Sequence, residues 1–161
     1  MHRSIHAVFL TAMASTVTIL PLGVARAQDV PGLCARVTND DRVRPIPITL
    51  VPPARQLFTF SKDTPDKYIQ KSTSFRCMDG KVWLCNTGAN LVCGKADASR
   101  TSAGATNFCK ENPGSDSVPM AATGHGTIYE WKCEGRKAVI SGNVATVDPR
   151  GFIVENWKKL D

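Results

Sequence analysis

Hydrophobic and polar positions alternate most regularly in the last third of this chain. Thr127-Ile128-Tyr129-Glu130-Trp131-Lys132-Cys133 places Tyr129, Trp131 and Cys133 on one face and Glu130 and Lys132 on the other, the period of a half-buried strand. A turn at Gly135-Arg136 sets Glu134 against Lys137, Cys133 against Ala138 and Trp131 against Ile140, so charge meets charge and apolar meets apolar. Beyond Val144-Ala145-Thr146-Val147, the sequence Asp148-Pro149-Arg150-Gly151 reads as a turn with proline pre-set at its second position. Phe152-Ile153-Val154-Glu155-Asn156-Trp157 then reads as a returning strand, so the pattern predicts a C-terminal antiparallel meander of about four strands.

A second hairpin is predicted over Phe75–Cys85. Asp-Gly favours a two-residue loop with positive φ, and with Asp79-Gly80 at its centre Met78 faces Lys81, Cys77 faces Val82 and Phe75 faces Leu84. Phe75, Cys77, Val82 and Leu84 then share one face. Cys85 falls opposite Ser74, on the other face and three residues along the ladder from Cys77. That is roughly 10 Å, beyond the ~7 Å Cα separation a disulfide tolerates, so the two cysteines are expected to have different partners. Trp83 lies on the face opposite Phe75 and Cys77, as part of a second packing surface or as an exposed anchor. Both hairpins share an order of aromatic, basic, cysteine and turn residues, in Phe75-Arg76-Cys77 and Trp131-Lys132-Cys133.

Elsewhere the pattern is weaker. Pro31, Pro45, Pro47, Pro52 and Pro53 punctuate the stretch before the first hairpin, which reads as an extended arm over residues 28–53 pinned by Cys34. Pro52–Phe58 fits a short helix with proline in its first turn. Residues 86–107 are small-sided, rich in Gly, Ala, Ser, Thr and Asn around Cys93, and read as an ordered loop tied by cysteines. Thr106–Asn112 fits a helical turn or two stopped by Pro113-Gly114, and a second loop runs over 113–126. The expected class is α+β: a small disulfide-stabilised domain with the C-terminal meander, the earlier hairpin and one or two short helices.

The N-terminal residues place this domain in a compartment. A lone positive charge at Arg3 precedes an uncharged, mostly apolar run from Ala7 to Val24, and Ala25-Arg26-Ala27 offers small residues at −3 and −1 of a cleavage site. Residues 1–27 are thus expected to be a signal peptide and residues 28–161 a single disulfide-stapled domain. The run also approaches the roughly 20 residues of a membrane anchor, the alternative reading of the same segment. The whole chain has 20 Lys+Arg and 14 Asp+Glu, a net +6. Losing Arg3 and Arg26, and no acids, with the leader leaves +4. That mild charge is spread along the chain with no basic run longer than Lys158-Lys159, and with export it argues against nucleic acid. All six cysteines (Cys34, Cys77, Cys85, Cys93, Cys109 and Cys133) lie in the mature part, an even number for an oxidising compartment, so three disulfides are expected. No stable membrane insertion is expected after cleavage.

The available chemistry is narrow. Redox work needs a pair such as Cys-x-x-Cys, and the closest cysteines here have seven residues between them. Structural zinc needs cysteines two to four apart or paired with histidines, and the mature chain has His125 alone, so neither metal nor cofactor is expected. His125 sits between Gly124 and Gly126, presented by a loop just before a strand. As a general base it would need a nucleophile and an orienting acid, and no Gly-x-Ser-x-Gly elbow supplies one. His125, Asn90 in the 86–107 loop, and Trp83 are the candidate ligand contacts; no catalytic residue is assigned.

Two blocks carry a resemblance: Val82-Trp83-Leu84-Cys85-Asn86-Thr87-Gly88-Ala89-Asn90-Leu91-Val92-Cys93-Gly94-Lys95-Ala96 and Thr123-Gly124-His125-Gly126-Thr127-Ile128-Tyr129-Glu130-Trp131-Lys132-Cys133. In these the chain resembles small uncharacterised exported proteins of alphaproteobacteria. The resemblance implies an exported, cysteine-stapled domain and assigns no functional residue. In architecture alone the chain is similar to the small periplasmic inhibitors of lysozyme, although Ser141-Gly142-Asn143 is too short to stand for their inhibitory loop. The expected function is a non-enzymatic periplasmic or secreted module that binds a protein or cell-envelope ligand through its stapled loops. Inhibition of a cell-wall hydrolase such as lysozyme, and a small secreted hydrolase using His125, are the alternatives.

Overall fold

Residues 29–88 and 91–161 are described by the structure, a computed structural model of the chain; the segment expected to be a signal peptide and Asn90 lie outside them. The chain runs through α1 (Val30–Val37), β1 (Asp40–Pro45), a 3-10 turn (Ile48–Leu50), α2 (Val51–Leu57), α3 (Asp66–Ser72), β2 (Thr73–Met78) and β3 (Lys81–Asn86). It continues with α4 (Ala103–Glu111), α5 (Met120–Thr123), β4 (Tyr129–Glu134), β5 (Lys137–Asn143), a second 3-10 turn (Val154–Asn156) and β6 (Lys158–Lys159). One antiparallel sheet has the order β1-β2-β3-β6 and a second pairs β4 with β5. This is α+β, with three disulfides: Cys34–Cys77, Cys85–Cys93 and Cys109–Cys133.

Both hairpins form in the register their turns dictate. Asp79 and Gly80 have φ of 52° and 72°, the left-handed pair a two-residue loop requires, and Phe75, Cys77 and Met78 pair with Leu84, Val82 and Lys81. Cys85 lies opposite Ser74, and it bonds Cys93 while Cys77 bonds Cys34. In the second hairpin Trp131, Cys133 and Glu134 pair with Ile140, Ala138 and Lys137.

The first hairpin separates two cores. Phe75, Cys77, Val82 and Leu84 pack with Val30 and Cys34 of α1, Val51 and Ala54 of α2 and Ile69 of α3. On the opposite face Cys85 packs with Cys93, Phe152 and Trp157, with Trp83 partly buried against them. A third core lies between α4 and the β4–β5 hairpin, around Ala105, Cys109, Val118, Trp131 and Cys133.

Residues 28–53 are not an extended arm. They hold α1, β1 and the first 3-10 turn, because each proline sits where its missing N–H costs nothing. Pro31 lies in the first turn of α1, whose N-cap Asp29 accepts a hydrogen bond from the Gly32 N–H at 2.9 Å. Pro45 ends β1 on the edge of its sheet, and Pro52 and Pro53 enter the first turn of α2. The described residues also form more helix than the one or two short segments expected. Arg55 of α2 reaches the Thr64 carbonyl and the Asp66 carboxylate, both at 2.7 Å, and fixes the start of α3. The α4 helix begins earlier than its apolar residues suggest, since Ser102 caps it by accepting from the Ala105 N–H at 3.1 Å.

Only the β4–β5 hairpin of the expected four-stranded meander is complete. The return after Asp148–Gly151 is limited to a bridge between Val147 and Ile153, after which the chain tightens into the second 3-10 turn and delivers β6 to β3. Trp157 causes the departure, burying itself edge-on against Phe152 at 5.7 Å instead of continuing along β5.

Candidate functional site

The segment 143–156 forms one wall of a groove, and its placement begins with Arg76. This residue on β2 is 1% exposed, and its guanidinium pairs with Asp148, whose side chain is 7% exposed. The guanidinium carbon stands 4.1 Å from the Phe152 ring centroid and 4.8 Å from that of Trp157. Asp148 in turn accepts from the backbone N–H groups of Arg150, at 2.8 Å, and Phe152, at 3.0 Å, so one carboxylate shapes the turn and anchors it. Arg150 also pairs with Asp41 on β1, which Lys95 meets from the other side at 3.1 Å. Burial pushes the Asp148 carboxyl up, but the Phe152 N–H, Arg76 and the Arg150 N–H outweigh it and hold it below the usual carboxylate range.

The opposite wall is built from the third core. The Val118 N–H donates to the Trp131 carbonyl, and the Cys133 N–H to that of Ser115, each at 2.8 Å, so residues 115–118 lie along β4. The α5 helix then packs against α4 at Gly104, where any Cβ would collide with the Ala122 carbonyl. Gly124, at φ 91°, ends α5 and turns the chain into His125.

Between these walls lie three adjoining hollows that share Val144. One of about 530 Å³ is bounded by Ile128, residues 143–147 and Glu155. A second of about 300 Å³ lies against Asp116, Met120, Tyr129, Glu130 and Trp131. The smallest, about 140 Å³, contains His125, Thr127, Ile153 and Glu155. Met120 and Val144 are exposed apolar side chains at 39% and 42%. Glu155 accepts from the Thr146 N–H at 3.2 Å, and its carboxyl is held below the usual range first by its own backbone N–H and also by that of Thr146.

Of the sequence-derived contacts, His125 lines the smallest hollow, with Nδ1 buried and without a hydrogen-bond partner. Trp83 is half-buried in the second core, away from the groove lining. Asn90 lies outside the described residues. The six cysteines act as three closed links. No group of three His, Cys, Asp or Glu side chains suited to a metal occurs among the described residues. Sequence reading passed over Met120, Val144 and Glu155 as ligand contacts, because each stands among other small or apolar residues, Val118-Pro119 and Ala121-Ala122 around Met120 and Ala145-Thr146-Val147 after Val144, and nothing local marks them out.

Comparison of the chain with protein-family models, curated proteins and solved structures finds no match.

Proposed function

We propose that this chain is an exported, periplasmic or secreted, binding protein without catalytic turnover, and that the groove around Val144 receives its ligand. The observation that carries this reading is the way the groove is held. One wall is linked covalently through Cys109–Cys133 beneath it, and the other is clamped by the buried Arg76–Asp148 pair. A concavity fixed before its ligand arrives avoids much of the ordering cost of association, and apolar side chains mixed with a few polar groups suit recognition. Pairing of all six cysteines supports an oxidising compartment, where the partner would be a protein or a cell-envelope component.

The test is a methyl-resolved NMR titration of the oxidised protein that observes Met120 and Val144. Four probes are added in turn: cationic, neutral and anionic hexapeptide pools, and soluble cell-wall fragments. The expected result is saturable displacement of both methyl signals by at least one probe, with that probe recovered intact. Unmoved signals with all four, or turnover that disappears in His125→Ala, would overturn the reading.

A further inference from the structure

The free edges of the two sheets differ in how they are closed. Along β1 the outer edge carries four charged residues and ends in Pro45, and β6 offers only Lys158 and Lys159. Charge, proline and shortness keep a further strand from adding to an edge. The outer side of β4 is covered by residues 115–118. On β5 none of these devices is present: Lys137–Asn143 holds no proline and a single charge, at its first residue, and no strand among the described residues pairs with its outer side. Its open backbone groups can be assigned. The Cys133 N–H and the Trp131 carbonyl bond Ser115 and Val118, so both residues turn their backbone away from β5. In an antiparallel ladder the residues opposite them, Ala138 and Ile140, therefore turn theirs outward. Beyond Ile140 the ladder slips by one residue at Ser141, which limits the regular open edge to Lys137–Ile140.

Charge supplies an independent observation. Glu130 of β4 reaches across the hairpin, one carboxylate oxygen lying 3.0 Å from where a Cβ on Gly142 would stand, so the glycine leaves the carboxylate room above β5. Arg136 lies in the turn at the other end of β5. Neither Glu130 nor Arg136 forms an ion pair among the described residues. A second copy of β5, laid antiparallel on a dyad through Val139, uses all of these groups. Ala138 of each copy then faces Ile140 of the other, and the two residues exchange their outward N–H and C=O groups. Lys137 faces the uncharged Ser141, and Arg136 comes level with Gly142 of the other copy and the Glu130 carboxylate that lies over it. We infer that two copies of the chain pair through β5 into one continuous sheet, joined by Ala138–Ile140 backbone pairing and Arg136–Glu130 ion pairs. The same patch serves both copies, so the contact closes at a dimer.

The experiment is sedimentation velocity of the full oxidised chain at concentrations up to about 1 mM, in salt of about 0.15 M. A contact along one short edge is expected to give a reversible dimer with a Kd of roughly 10–200 μM. Glu130→Arg and Arg136→Glu are each expected to weaken it at least about fivefold, because each sets like charges against one another at both symmetry-related positions. The two substitutions together restore opposite charges and are expected to bring the Kd back to within about twofold. Asp63→Arg, the same charge change on a distant loop, is expected to alter it less than about twofold. Ala138→Pro removes an N–H that bonds nothing within the chain and is expected to abolish the dimer while the circular dichroism stays that of the folded protein. The charge series decides the matter if that variant does not fold. A chain monomeric at the highest concentration would overturn the inference, as would a dimer indifferent to the single reversals or not recovered by the double one. It would equally be overturned if the Ala138 and Ile140 amide signals moved only on adding a peptide of another protein, with no dimer formed.

Discussion

Arg76→Leu is expected to destabilise the oxidised protein by about 3–5 kcal/mol, measured by denaturant unfolding at neutral pH. The substitution leaves the Asp148 carboxylate buried without its cation and removes the plate on which Phe152 and Trp157 pack. Adding Asp148→Asn should recover part of the loss, because the buried charge goes while an amide oxygen can still accept from the Arg150 and Phe152 N–H groups. The pH dependence follows from the direction of the Asp148 shift. Its folded pKa is depressed below the unfolded value near 3.9, so its contribution is fully present above that value and is lost as pH falls through the folded one. Removing Arg76 raises the folded pKa, so the stability gap between wild type and Arg76→Leu should narrow below about pH 4. A loss under about 1 kcal/mol, or a gap that widens in acid, would show that the pair does not fasten the segment.

Removal of the disulfides should rank by the chain each one closes. Cys34–Cys77 spans 43 residues, Cys109–Cys133 spans 24 and Cys85–Cys93 spans 8. The loop-entropy relation gives roughly 4, 3.5 and 2.5 kcal/mol for these three when each pair is replaced by alanine. Cys34–Cys77 ties α1 to the turn end of β2 with both sulfur-bearing residues fully buried, so its loss also leaves space in the main core. Thermal unfolding of the three double-alanine variants checks the order. An equal cost for all three, or the largest cost at Cys85–Cys93, would contradict it.

What the sequence disclosed was local. Asp79-Gly80 and Gly135-Arg136 each impose a turn whose register follows from pairing alone, so both hairpins and the separation of Cys77 from Cys85 were legible from alternation. Proline was legible at Pro52, read as the first turn of a helix, but misled at Pro31, which begins a helix and in the sequence looks like an interruption. The α3 helix buries Ile69 completely and leaves Tyr68 exposed, too narrow an apolar stripe to set a helical period. The last strand failed for a different reason. Phe152 and Trp157 are placed by Arg76, 76 and 81 positions earlier in the numbering, and no local period encodes a contact of that range. The groove shares that origin, since His125, Met120, Val144 and Glu155 come together only when the Asp148 turn is drawn onto β2.

The account depends most on an exported chain closed by three covalent links. Intact-mass measurement and non-reducing peptide mapping of the protein recovered from its producing cell test this most directly. The predicted result is a chain beginning at Gln28, with Cys34 joined to Cys77, Cys85 to Cys93 and Cys109 to Cys133. A cytoplasmic chain that retains residues 1–27 and six free thiols would contradict it.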